Sequence, residues 1–198
     1  KASIGDTVYF SLSSAIDAAQ AGQTITLLAD LSSSEIIVLD KAITLDGNGK
    51  TLTSTAGRAI NVSGADGVTI KNLTIDAKGE RAINIIQNAT NVTIDNVTAT
   101  AANYTVNVAS SASNAIVAIT NSNLTGLNVV NVAAEGANVT ITGGKLTCND
   151  QNADEGYSAL ALNKDAKNGT ITAADVTFDI KGDSVKATNQ AEGGTITI

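Results

Sequence analysis

The chain contains only two arginines, Arg58 and Arg81, and they stand in closely similar settings, Gly57-Arg58-Ala59-Ile60 and Glu80-Arg81-Ala82-Ile83. A guanidinium is a permanent cation whose planar donors suit carboxylate or phosphate oxygens. With Asp76 and Asp95 near them in the chain, the two arginines are candidates for a small charged catalytic site. The plainer reading is a stacked surface pair salt-bridged to neighbouring acids, an arrangement that contributes little to stability. Hydrolysis of a glycosidic bond asks for two carboxyl groups facing each other. Asp46, Asp66, Asp76 and Asp95 sit at turn-like positions, with no adjacent pair among them. The absence of histidine excludes an imidazole base, a histidine zinc ligand and a Ser/His/Asp triad. Five aromatic residues, three Tyr and two Phe, leave few platforms on which a sugar ring would stack.

One segment has the spacing of a cation loop. Asp150, Asn152 and Asp154 alternate so that their oxygens would converge on calcium. Glu155 stands where the turn glycine of such a loop belongs, and Ala161 where its last carboxylate belongs, so an acidic solvated loop is the competing reading. No other cofactor is implied. The single cysteine, Cys148, follows Thr147 in the phase of an inward position and reads as a small buried hydrophobe rather than a nucleophile. A net charge of -7 gives nucleic acid or an anionic membrane no basic surface to meet. No apolar run reaches the length of a membrane span, and residues 1–20 lack the apolar stretch of a signal peptide.

These residues are carried by an internal repeat. Ile43-Thr44-Leu45, Val68-Thr69-Ile70, Val92-Thr93-Ile94, Val117-Ala118-Ile119, Val139-Thr140-Ile141, Gly169-Thr170-Ile171 and Gly194-Thr195-Ile196 recur, their last residues 25, 24, 25, 22, 30 and 25 positions apart. A second column aligns Leu52-Thr53, Leu73-Thr74, Val97-Thr98, Leu124-Thr125, Leu146-Thr147 and Val176-Thr177. A third aligns Ile60-Asn61-Val62, Ile83-Asn84-Ile85, Val106-Asn107-Val108 and Val130-Asn131-Val132, and degrades to Leu160-Ala161-Leu162 and Val185-Lys186-Ala187. Each repeat thus holds three short strands separated by Gly, Asn, Asp and Ser. Alternation places the aliphatic residues of each triplet on one face and the central Thr or Asn on the other.

Three strands per turn at a constant period predict an all-β fold, a right-handed single-stranded parallel β-helix of about seven coils with an aliphatic interior. The alignment makes Thr44, Thr69, Thr93, Thr140, Thr170 and Thr195 one outward ladder, and Thr53, Thr74, Thr98, Thr125, Thr147 and Thr177 an uninterrupted second. Either would order water on a flat face, or simply reflect the preference of outward strand positions for β-branched residues. Asn61, Asn84, Asn107 and Asn131 form an outward amide ladder, read as a possible binding face or as cross-coil hydrogen bonding.

The N-terminal part differs. Leu12, Ala15, Ile16 and Ala19 have helical spacing, predicting a short helix over 12–20 with Ser11 or Ser13 at its start and Gly22 at its end. Residues 1–24 are accordingly expected to cap the first coil, with Tyr9 and Phe10 as part of the lid, and 25–198 to form the coil itself. Thr195-Ile196-Thr197-Ile198 stops inside a strand, which implies a longer natural chain or a capping subunit.

The texture of Val68–Thr74 (VTIKNLT) and Val92–Thr98 (VTIDNVT) resembles the right-handed parallel β-helix family typified by pectate lyases. The stretch Ile4-Gly5-Asp6-Thr7-Val8-Tyr9, then Ala15-Ile16-Asp17-Ala18-Ala19, then Gly22 to Asp30, is similar to the cap of β-helix modules in bacterial surface proteins. The resemblance covers most of 4–198. It implies the fold, which hosts lyases, hydrolases, adhesins and pure scaffolds alike. The expectation is a non-enzymatic secreted or cell-surface module, an adhesin or binding scaffold whose partner is a glycan or a cell-surface protein. The alternative is a lyase acting on an acidic polysaccharide, in which Arg58 or Arg81 would serve as the catalytic cation; the family's arginine-containing catalytic motifs are not recognisable around either residue.

Overall fold

The computed structural model describes residues 1–149 and 156–198. Two short antiparallel strands, β1 (Ala2–Ile4) and β2 (Thr7–Tyr9), precede a helix, α1 (Leu12–Ala18), and the first coil begins at β3 (Thr24–Leu27). From there the chain winds as a right-handed parallel β-helix of about seven coils, consistent with a pectate-lyase-like module. Its strands form three sheets of ten, seven and seven members. The first sheet runs from β2 through β1 and β3 to Thr195–Thr197. The second starts at β4 (Leu31–Ser33) and the third at β5 (Ile37–Leu39).

One coil shows how the sequence makes the turn. Thr69–Lys71 lies in the first sheet, Thr74–Ala77 in the second and Arg81–Ile86 in the third. The corner between the first two is made by Asn72 in left-handed backbone conformation (φ 51°), and Asn96 and Asn121 repeat it one and two coils later (φ 51° and 48°). Asparagine tolerates this conformation better than other side chains that have a Cβ. The corner is tied across coils, with the Asn72 N–H donating to the Asp95 carbonyl (3.1 Å) and the Asn96 amide to Asn72 Oδ1 (2.9 Å). The Asn of the repeated VTIxNxT texture is therefore a backbone requirement.

The aliphatic columns stack as a single core. Leu45, Ile70, Ile94, Ile119 and Ile141 are partners in successive strands, each at most 2% exposed. Burying each such side chain stabilises by about 1.5–3 kcal/mol. Cys148 is fully buried, as its phase implied, with its thiol against the Leu127 carbonyl (2.7 Å).

In each of the three columns some alignments slip by two residues. Ile171 pairs with Val139 and Ala173 with Ile141, so Thr140 opposes Thr172 rather than Thr170. Leu52 pairs with Ile75 rather than Leu73, and Asp76 stands beside Thr53. Phe178 continues that column after Leu146, and Asp179 opposes Thr147. The second threonine ladder is thus broken by Asp76 and Asp179, and Thr74, Thr98 and Thr177 belong to a neighbouring column with Thr51, Asn123 and Lys145. Ala187, not Val185, lies against Leu160. Within a regular strand a two-residue slip keeps a side chain on its face, so the inside and outside assignments survive there; Val185, expected inward, instead falls beside Ser158 at the start of its strand and is 46% exposed.

The cap also departs from expectation. Helix α1 stops at Ala18, and Ala19 closes it in extended conformation; Ser11 caps its start, accepting from the Ser14 N–H (3.0 Å). Gly22 (φ 84°) does not end the helix but donates to the Ala42 carbonyl at the start of the coil. Tyr9 packs against the core, whereas Phe10 is 90% exposed and covers nothing. The cover over the first sheet is instead β1, which pairs antiparallel with β3 and hides its edge.

Lys41 fastens α1 in place: its ammonium donates to the carbonyls of Ile16 (2.7 Å), Asp17 (3.0 Å) and Ala19 (3.1 Å). These carbonyls lie at the helix end, where a cation is favoured, and Ile16's also accepts the Ala19 N–H (3.3 Å). Lys41→Ala is expected to cost about 1–2 kcal/mol, read as a lower midpoint in urea, with amide exchange of 12–18 accelerating more than that of the coils.

Candidate binding face

The outer surface of the third sheet gathers Arg58, Arg81 and the asparagine column. In Arg58–Ser63 the side chains of Ile60 and Val62 point inward, and Asn61 between them points out; Ile83, Asn84 and Ile85 repeat this in Arg81–Ile86. Asn61, Asn84, Asn107 and Asn131 are direct partners in four successive strands. Their amides hydrogen-bond in one direction along the rod. Asn84 Nδ2 donates to Asn61 Oδ1 (3.0 Å), Asn107 to Asn84 (2.8 Å), and Asn131 to Asn107 (2.8 Å). The ladder ends at Asn131 because Ala161 follows it.

Although they face outward, Asn84, Asn107 and Asn131 are only 2–4% exposed. Much of each amide's hydrogen-bonding capacity goes to the rungs above and below. The column is thus a largely covered polar spine, and what a ligand would meet is the rim of side chains beside it.

The rim has the same period, three residues earlier. Arg58, Arg81 and Tyr104 are partners in adjacent strands, about 4.8 Å apart along the rod. Arg81 Nη1 donates to Asn84 Oδ1 (3.2 Å), and its guanidinium lies 5.5 Å from the centre of the Tyr104 ring. Burial and then the charge of Arg58 lower the Arg81 pKa from its ordinary value, against Glu80 and Tyr104, which raise it. Arg81 Nε is buried without a hydrogen-bond partner among the described residues. Beyond Tyr104 the rim continues as Asn128, which accepts from the Ser158 N–H (3.0 Å). A shallow groove of about 190 Å³ opens there, lined by Tyr104, Asn128, Asn131, Tyr157 and Thr188.

The acids expected beside the arginines are elsewhere. Asp76 is on the second sheet, paired with Lys78 (2.7 Å), and Asp95 is on the first, accepting from the Thr120 hydroxyl (2.6 Å). Neither forms a charged site with Arg58 and Arg81. Nor are the arginines salt-bridged: among the described residues every side-chain ion pair uses a lysine. The first-sheet acid Asp46 meets Lys71 (3.5 Å). Partial burial acts to raise the Asp46 pKa, but the Asn48 N–H, the Asn72 amide and Lys71 outweigh it and hold it below the usual value. Asp66 accepts from the Asn91 amide (2.7 Å). The calcium candidates Asp150, Asn152 and Asp154 lie outside the described residues, among which no cluster of three or more potential ligands of the His, Cys, Asp or Glu type occurs.

Tyr104 and Asn128 were not singled out from sequence, yet a signal exists: each precedes a ladder asparagine by three residues, as Arg58 and Arg81 do. No protein-family model, no curated protein and no solved structure matches the chain.

Proposed function

We propose that the chain is a non-catalytic β-helix module of a secreted or cell-surface protein, and that the rim of the third sheet binds a glycan carrying carboxylate or sulfate groups. The observation that carries this reading is the pair Arg58 and Arg81: two cations one coil apart, with no carboxylate paired to either among the described residues, in a chain of net charge -7. Donors left unpaired beside an aromatic ring suit an anionic sugar, the guanidinium taking the acid group and Tyr104 the ring face.

A lyase acting on an acidic polysaccharide is the second reading, favoured by the lowered pKa of Arg81, since elimination needs a base less proton-hungry than an ordinary arginine. Against it, Asp76 and Asp95 stand on other sheets and bring no acid to the pair.

A glycan array separates the two when read alongside product absorbance from pectate, alginate, hyaluronan and chondroitin with and without calcium. Retention without an unsaturated product is expected, with Arg81→Ala weakening retention about tenfold or more, roughly 1.4 kcal/mol, while lowering stability by about 1 kcal/mol through loss of its bond to Asn84. Unsaturated product that disappears in Arg81→Ala would establish the lyase.

A further inference from the structure

The N-terminal end of the rod carries a knob and a hole side by side. Among the described residues the second and third sheets begin at β4 and β5, whereas β1 and β2 extend the first sheet beyond β3. Helix α1 spans this end without filling it. A hollow of about 550 Å³ remains, its floor made by Leu12, Ile16, Leu31 and Ile37, with Ile36 and Val38, 40% and 42% exposed, also lining it. At its rim stands Phe10, 90% exposed, with the Lys1 ammonium 5.9 Å from the ring centre. Ser11 caps α1 directly after Phe10 and fixes the chain where the ring projects. The ring therefore stands beside the hollow without filling it.

The charges around this end are complementary to the knob. Asp17, Glu35 and Asp40 line the hollow, all exposed and none in an ion pair among the described residues. The other lysine there, Lys41, is committed to the carbonyls of α1. An aromatic ring carrying a cation, next to an apolar hole rimmed with acids, is a surface complementary to itself. Such a surface makes an isologous two-fold contact, in which the same patch serves on both copies.

We propose that two copies of this chain associate end to end about a two-fold axis, each inserting Phe10 into the other's hollow and setting Lys1 among the partner's Asp17, Glu35 and Asp40. Neither Arg58 nor Arg81 lines the hollow, so the proposal does not depend on the glycan reading. Two small reciprocal insertions make a weak contact, with an expected dissociation constant on the order of 100 μM.

Sedimentation equilibrium of the 198-residue chain from about 10 μM to about 1 mM tests this over the range that the affinity requires. A monomer–dimer equilibrium is expected. Phe10→Ser should weaken it about tenfold or more, as loss of an anchor residue does, with an unchanged circular dichroism spectrum because the ring is solvent-exposed. Lys1→Glu alone and the double variant Glu35→Lys/Asp40→Lys alone should each be monomeric at concentrations where the unmodified chain pairs. Mixed together they should form a heterodimer, because both of its contacts then join opposite charges. A monomer at every concentration, a dimer indifferent to Phe10→Ser, or a mixture that fails to associate would each overturn the proposal.

Discussion

Gly79→Ala is expected to destabilise the protein by about 2–4 kcal/mol, as overpacking against backbone does. A Cβ on Gly79 would overlap the Ala56 carbonyl and sit 2.7 Å from Gly57 Cα, the backbone of the previous coil at the same corner. Backbone cannot move aside as a side-chain tip does, so the corner must open and loosen the ladder on both sides of it. For a chain of this length the loss corresponds to a fall of roughly 5–15 °C in melting temperature. The control is one coil away. A Cβ on Gly57 meets nothing within 4 Å, and Gly57→Ala is expected to leave the midpoint unchanged or raise it slightly, since it removes only unfolded-state freedom. Equal effects of the two substitutions in thermal unfolding would contradict the coil stacking described here.

Asn107→Ala removes the middle of the amide spine and is expected to cost about 2–4 kcal/mol, two hydrogen bonds being lost and their partners left in a buried place. Asn131 Nδ2 loses its acceptor, whereas Asn84 Oδ1 keeps the donation from Arg81 (3.2 Å). Asn61→Ala, at the end of the ladder, forfeits only the single bond from Asn84 and should cost about 1 kcal/mol. Urea denaturation of the two variants measures the ratio. It also separates two roles for the column. A spine gives a large loss of stability at Asn107. A contact surface for ligand would give a small loss of stability there and a large loss of glycan retention.

The inward aliphatics and the outward Thr and Asn of each triplet were legible because a strand alternates faces and like residues recur at a coil period. Those two regularities define three sheets around an aliphatic interior without any knowledge of contacts. The same period of two concealed the slips. Leu73 and Ile75 are both apolar and both buried, and so are Ile171 and Ala173, so either alignment satisfies the pattern. Only the hydrogen-bonded registers choose between them.

The site was half legible in the same way. That Arg58 lies over Arg81, and Asn61 over Asn84, follows from the repeat. That Asp76 and Asp95 lie away from the arginines does not, because the chain turns a corner within a few residues on either side of Arg81 and neighbours in sequence emerge on different sheets. Phe10 reads as a lid because it is apolar and N-terminal; the Ser11 cap and the antiparallel β1–β2 pair leave it outside. By itself, then, the sequence determined the coil, its three sheets and which residues face in, since these depend on local alternation and period. Which outward residues are covered, which corner glycines admit no side chain and which charges meet were decided by the tertiary structure, because each depends on the distance between coils and on corners that place sequence neighbours on separate faces.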